Sequence, residues 1–158
     1  MLSLLRRLLF GRSVRGAADA ASHTTVEVDP TRVRGLTLEY APRADGRADA
    51  GEIVWTWVPY AERDGRGKDR PVLVLARRDA SHVYAVKLTS RSHAGERDFV
   101  PIGTGAWDAE RRPSWVDLDQ LYVVPDGGLR REGAALGREA YARVTAVLGQ
   151  RYGWRVRR

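Results

Sequence analysis

Arg70, immediately before Pro71, is the chain's best candidate for holding a phosphate. Its guanidinium is a planar fork that matches two phosphate oxygens and stays charged at any physiological pH. Arg66 and Lys68 stand beside it in the stretch Glu62-Arg63-Asp64-Gly65-Arg66-Gly67-Lys68, so three cations fall within five residues and can follow a phosphate backbone. Gly65 and Gly67 let that backbone turn sharply and approach a ligand closely. Glu62, Asp64 and Asp69 oppose the reading. A solvated, charge-mixed hairpin loop is the alternative for that stretch, and for Arg70 itself spacing alone favours a structural pairing with Asp69 or Glu62 at a sheet edge.

Other chemistry is excluded more firmly. The chain has no cysteine, which removes disulfides, thiolate metal sites, iron-sulfur clusters and thiol catalysis. His23, His82 and His93 are isolated from one another and show no metal-ligand spacing, so no cofactor is expected. The imidazole of His93 could serve as a general base by its chemistry, but a solvated loop histidine is the favoured reading.

These side chains need a frame, and 158 residues with 43% apolar and 30% charged content provide for one domain and a tail. From Gly51 onward, GEIVWTWV, PVLVLA, HVYAVKLT, DFVPIG and SWVDLDQLYVV read as five short strands separated by turn-forming stretches. Their close spacing leaves no room for parallel crossovers, which predicts a small, bent antiparallel sheet or barrel. After Pro125, Ala140, Val144, Val147 and Leu148 recur at helical spacing, predicting one C-terminal helix from about Arg138 to Tyr152 with Gly153 as its stop. Residues 1–50 read as a basic, Ala/Arg/Gly-rich extension, largely disordered, with brief strand alternation in TTVEV and LTLEY. The opening MLSLLRRLLFGRSVRG is too short to span a membrane and its arginines interrupt a signal-type apolar core. A mobile tail is favoured there over peripheral membrane contact by residues 1–16.

Net charge is +7, yet residues 51–125 hold 11 basic and 11 acidic groups. A basic chain suits anionic partners, but a site in the neutral middle must sort its charges locally. Trp55 and Trp57 alternate in the first strand, where plugging the barrel or a dimer seam is favoured over stacking on bases.

The order GEIVWTWVPY, a glycine-bearing loop, KDRPVLVLA, AVKLTS and SWVDLDQLYVV resembles the successive signatures of the MazF/PemK family of toxin-antitoxin ribonucleases, from about Gly51 to Trp154. The resemblance implies a mainly β, SH3-like antiparallel barrel over residues 51–154 with a C-terminal helix, followed by a basic tail at 155–158. It implies a cytoplasmic homodimer that cuts single-stranded RNA without a metal and is held in check by an acidic antitoxin protein. By position it makes Arg70 and Thr89 catalytic, with Ser90 assisting Thr89. Asp119 and Gln120 match the family's Asp-Gln pair, the acid as a candidate base and Gln120 toward RNA; a buried acid bonding backbone amides is an equal alternative for Asp119. Arg66 and Lys68 are the expected RNA-binding cations. In the PemK branch an Arg precedes the Asp-Gln pair by two residues and a His lies in the first loop. Asp117 stands at the first position and no His lies between Pro59 and Asp69, so the MazF pattern is the one implied. The rival readings are a barrel that binds RNA or peptide without cutting, and a membrane-peripheral adaptor.

Overall fold

The computed structural model describes residues 24–43 and 45–158, and of 131–133 the backbone alone. The expectations for residues 1–16 lie outside the described residues. Among the described residues nine strands and one long helix follow in order: β1 (Val26–Val28), β2 (Thr37–Glu39), β3 (Glu52–Pro59), β4 (Gly67–Arg77), β5 (His82–Thr89), β6 (Phe99–Gly103), β7 (Ser114–Pro125), β8 (Arg130–Ala135), α1 (Arg138–Tyr152) and β9 (Arg155–Arg157). The five strands expected from β-branched and aromatic runs are β3 to β7, and they pair antiparallel in one sheet of order β1-β7-β5-β4-β3-β8, with β6 also on β7. Three strands separate β1 from β3 in that order, yet Thr25 Oγ1, next to β1, lies 3.1 Å from Thr56 Oγ1 of β3. The sheet is therefore curled. Its end strands β1 and β8 do not pair with each other, so the barrel stays open among the described residues.

Both faces of the sheet are covered, which explains why β4 reads as an unbroken apolar run. Alternate residues diverge: Leu73 and Leu75 join one core with Val86, Leu88 and Leu121, while Val72 and Val74 join a second with Val54, Val83 and Tyr122. The first core is closed by α1 through Tyr141, Val144 and Leu148, each burial contributing about 1.5–3 kcal/mol. Gly153, at φ 74°, ends α1 in the left-handed conformation open to glycine at low cost.

Residues 24–40 pack onto this body rather than trailing from it. The two alternating stretches TTVEV and LTLEY supply β1, which extends the sheet beside β7, and β2, which pairs in parallel with β9. Leu38 is fully buried and Leu36 nearly so. Trp154 Nε1 donates to Val33 O at 2.9 Å, the Arg155 amide to Leu36 O at 2.9 Å and Tyr40 Oη to Leu136 O at 2.6 Å. The short apolar pair Leu36 and Leu38 thus completes the helix-side core, a role that composition masks because polar and small residues surround it. Strands β8 and β9 carry little β-branched character in RREGAA and RVR, and sequence patterning misses them.

If this segment belongs to the core, Leu38→Ala should cost about 2–5 kcal/mol of unfolding free energy. Urea denaturation measures it, and a loss under 1 kcal/mol would return the segment to the status of a loose appendage.

Candidate functional site

A cavity of about 510 Å³ opens where the ends of β4, β5 and β7 meet the loops after β5 and β6. Arg70 enters from β4, opposite Thr56 in the register, half-buried and without an ion pair among the described residues. Neither pairing expected for it forms: Asp69 takes Arg130 instead, at 2.6 Å. Thr89 ends β5 across from Trp115, and its Oγ1 accepts the Arg91 amide at 3.2 Å. That contact occupies a lone pair and leaves the hydroxyl proton available to the cavity, since a hydroxyl both donates and accepts. Ser90 and Lys68 line the same space.

Five cations face the cavity, Lys68, Arg70, Lys87, Arg91 and Arg112, against two carboxylates, Asp108 and Asp117. Both acids are engaged. Asp117, nearly buried, sits 3.6 Å from Lys87 Nζ and accepts the Asp119 amide at 3.0 Å. Asp108 accepts Arg112 Nε at 2.8 Å and the Glu110 amide at 3.0 Å, and the Arg112 contact, above all, holds its carboxyl below the ordinary value of 3.8. Arg70, Lys68 and Arg91 remain without ion pairs among the described residues, so the neutral middle of the chain presents a locally positive wall suited to an anion.

The Asp-Gln pair goes elsewhere. Two residues of β5, Val86 to Leu88, are matched by five of β7, Leu121 back to Val116, so β7 slips by three residues between them. An odd slip exchanges the faces of the sheet. Leu118 and Leu121 consequently point into the same core, Asp117 faces the cavity, and Asp119 swings out to Arg151 Nη1 at 2.7 Å beside Asp98. Partial burial and then the Asp98 charge raise the Asp119 pKa. Gln120 turns to β1, 3.5 Å from Glu27 Oε1. Arg66 also lies outside the cavity, its guanidinium 2.6 Å from Asp64. Of the seven residues singled out in the sequence, the cavity gathers Arg70, Thr89, Ser90 and Lys68 and leaves out Asp119, Gln120 and Arg66.

Several cavity residues escaped the sequence reading. Lys87 looks like the polar half of strand alternation, Asp117 stands out in the sequence only as a departure from the PemK pattern, and Asp108 and Arg112 look like loop charges. His93 is no solvated histidine: its side chain is only 20% exposed, Nδ1 lies 2.7 Å from Glu96 Oε2, and the ring stacks on Phe99 with centroids 3.6 Å apart. Trp55 is half-buried at the cavity wall and donates from Nε1 to Trp107 O at 2.9 Å, while Trp57, outside the cavity, packs over Gly67, where a Cβ would strike its ring. Neither plugs the barrel. Among the described residues no group of three or more His, Cys, Asp or Glu is arranged to hold a metal ion, and no helix is long and apolar enough to cross a membrane.

Comparison with known proteins matches residues 49–151 to a family model described as PemK-like, MazF-like toxin of type II toxin-antitoxin system. A solved MazE-MazF assembly from Deinococcus radiodurans is similar at TM-score 0.50 and 22% identity, over 68% of this chain and 97% of that one. The Mycobacterium tuberculosis toxin MazF-mt6 is similar at TM-score 0.46 and 19% identity, over 64% and 97% respectively. No curated protein matches.

The depressed Asp108 pKa has a consequence for stability. A carboxyl whose folded value lies below its unfolded value stabilises above the unfolded value and loses that contribution as pH falls through the folded one. Asp108→Asn should therefore be less stable than wild type at pH 7, with the gap closing below the ordinary 3.8. Urea midpoints at pH 7 and at about pH 3 test it; a gap that is constant with pH would mean that the charge contributes nothing.

Proposed function

This chain belongs to the PemK-like, MazF-like toxins of type II toxin-antitoxin systems, and on that premise we propose that it is an endoribonuclease cutting single-stranded RNA at the Arg70–Thr89 cavity. The observation that carries the reading is the Arg70 guanidinium, without an ion pair among the described residues, sharing one cation-rich cavity with the Thr89 hydroxyl. RNA holds its own nucleophile. Once the 2′-hydroxyl loses its proton and lines up on the adjacent phosphorus, the P–O2′ bond forms and the P–O5′ bond breaks. This leaves a 2′,3′-cyclic phosphate and a 5′-hydroxyl.

The protein's share is orientation and charge stabilisation. Arg70 grips the two non-bridging oxygens as negative charge grows on them. Thr89 donates from Oγ1 to the phosphate or the 2′-oxygen, with Ser90 next to it. Thr89 is too weakly acidic to act as a base. Lys68 meets a neighbouring phosphate. Because the nucleophile is internal and Arg70 supplies the countercharge, this chemistry needs no metal.

The same cation-rich wall suits an acidic antitoxin, a partner supported by the MazE-MazF assembly of the Deinococcus relative. A homodimer is the working form we propose, with sequence preference set by the groove around the cavity.

Purified protein in EDTA should cut single-stranded RNA to those ends. Arg70→Ala and Thr89→Ala should each lower the rate by about 100-fold or more while thermal melting stays near wild type. Arg70→Lys should not restore it, because a point charge cannot replace the fork. Full activity in either alanine variant overturns the assignment, and RNA binding without cleavage by wild type favours the binding-module alternative.

Binding gives a separate test, using RNA with a 2′-deoxy scissile position. Lys68→Ala should lower the salt slope by about 0.7, the value for one phosphate contact on a single strand. Arg66→Ala, already paired to Asp64, should leave the slope unchanged. The reverse pattern would move the RNA track out of the cavity and onto the loop.

A further inference from the structure

His93 lies in the loop between β5 and β6 and lines the same cavity as Arg70 and Thr89. The loop is built to fix it. The Glu96 amide donates to His93 O at 3.1 Å, closing a turn whose third residue, Gly95, has φ 77°. The imidazole is held on two further sides. Its plane lies 7° from that of Phe99 on β6, at 3.6 Å between centroids. Nδ1 is 2.7 Å from Glu96 Oε2, and since a carboxylate only accepts, Nδ1 carries the proton of that bond. With one nitrogen and one ring face taken, Nε2 is left without a protein partner among the described residues on a side chain that lines the cavity. A histidine fixed in one tautomer by a carboxylate, with its other nitrogen at a site of anion chemistry, is the arrangement of a proton-transfer group rather than of a surface residue.

We propose that His93 is the general acid of this site, donating its Nε2 proton to the 5′-oxygen as that oxygen leaves phosphorus, with Glu96 as its positioning residue. The assignment rests on the ribonuclease reading and supplies the step that reading lacks, since Arg70 keeps its protons and Thr89 gives none up. In the step, the 2′-hydroxyl proton passes to solvent water, P–O2′ forms, P–O5′ breaks, and the imidazolium ends neutral with its proton on O5′. The charged groups around the ring are Glu96 and Arg91 on its own loop, Lys68 and Arg70 on β4, and Lys87 on β5. Asp117 of β7, and Asp108 with Arg112 from the loop before it, complete the wall. The pocket's cations oppose the single positive charge of the imidazolium and the Glu96 carboxylate offsets them, which gives Glu96 a role beyond geometry.

The test compares ordinary RNA with RNA carrying a 5′-bridging sulfur at the scissile bond, whose thiolate leaves without being protonated. His93→Gln should cut ordinary RNA about 100-fold or more slowly and cut the sulfur substrate at close to the wild-type rate. Arg70→Ala should stay slow on both. On ordinary RNA the wild-type rate should fall on the alkaline side, that limb should be absent in His93→Gln, and Glu96→Gln should move it to lower pH. A His93→Gln enzyme as fast as wild type, or equally slow on both substrates, overturns the assignment and leaves the ribonuclease reading standing. A wild type that cuts neither RNA overturns the ribonuclease reading and this assignment with it.

Discussion

Strand β7 carries the constraint on which the rest of the molecule depends. Its twelve residues pair with β5, β6 and β1 at once, and both of its faces must be buried along most of that length. A regular strand cannot meet those demands, because Leu118 and Leu121 would then face opposite cores. The three-residue slip between Val116 and Leu121 resolves the conflict by putting both leucines under α1. The slip also needs closure, and Asp117 provides it by accepting the Asp119 amide. The residue that closes the irregularity is thus also the one presented to the cavity, beside Lys87. One packing requirement selects which acid of the Asp-Leu-Asp stretch the cavity receives.

Charge sorting follows from the same frame. Acids outside the cavity neutralise cations that would otherwise compete for an anion: Asp64 takes Arg66, Asp69 takes Arg130, Asp126 takes Arg77 in a two-pronged contact, and Asp119 takes Arg151. Exposed pairs of this kind add little stability, about 0–1 kcal/mol each. Among the described residues, their effect is to leave Arg70, Lys68 and Arg91 without ion pairs at the cavity wall. A stretch of zero net charge therefore holds a strongly polarised site.

The strands of the central sheet and the helix were legible because their patterning is local: β-branched runs bounded by glycines and charges, then a 3.6-residue apolar period ending at Gly153. Arg70 and Thr89 stood out because one residue type has a distinctive phosphate chemistry and the other lies at a strand end within a recognisable order of motifs. Asp119 lies outside the Arg70–Thr89 cavity for a physical reason that patterning hides, since alternation counted along a strand fails at an odd register slip. His93 was passed over because its ordering comes from Phe99 on the next strand and from a turn closed by Glu96, neither of which spacing reveals. The packing of residues 24–40 depends on contacts more than a hundred positions away, such as Trp154 on Val33, and local composition there is that of a linker.

An amide chemical-shift map of the isotope-labelled protein, titrated with a short single-stranded RNA blocked by 2′-deoxy substitution, locates the RNA on the molecule directly. Saturable shifts are expected at Lys68, Arg70 and Lys87 through His93, with Asp119, Gln120 and Arg151 unmoved. Shifts centred on the Asp119–Arg151 side, or no saturable response, would contradict RNA binding at the Arg70–Thr89 cavity.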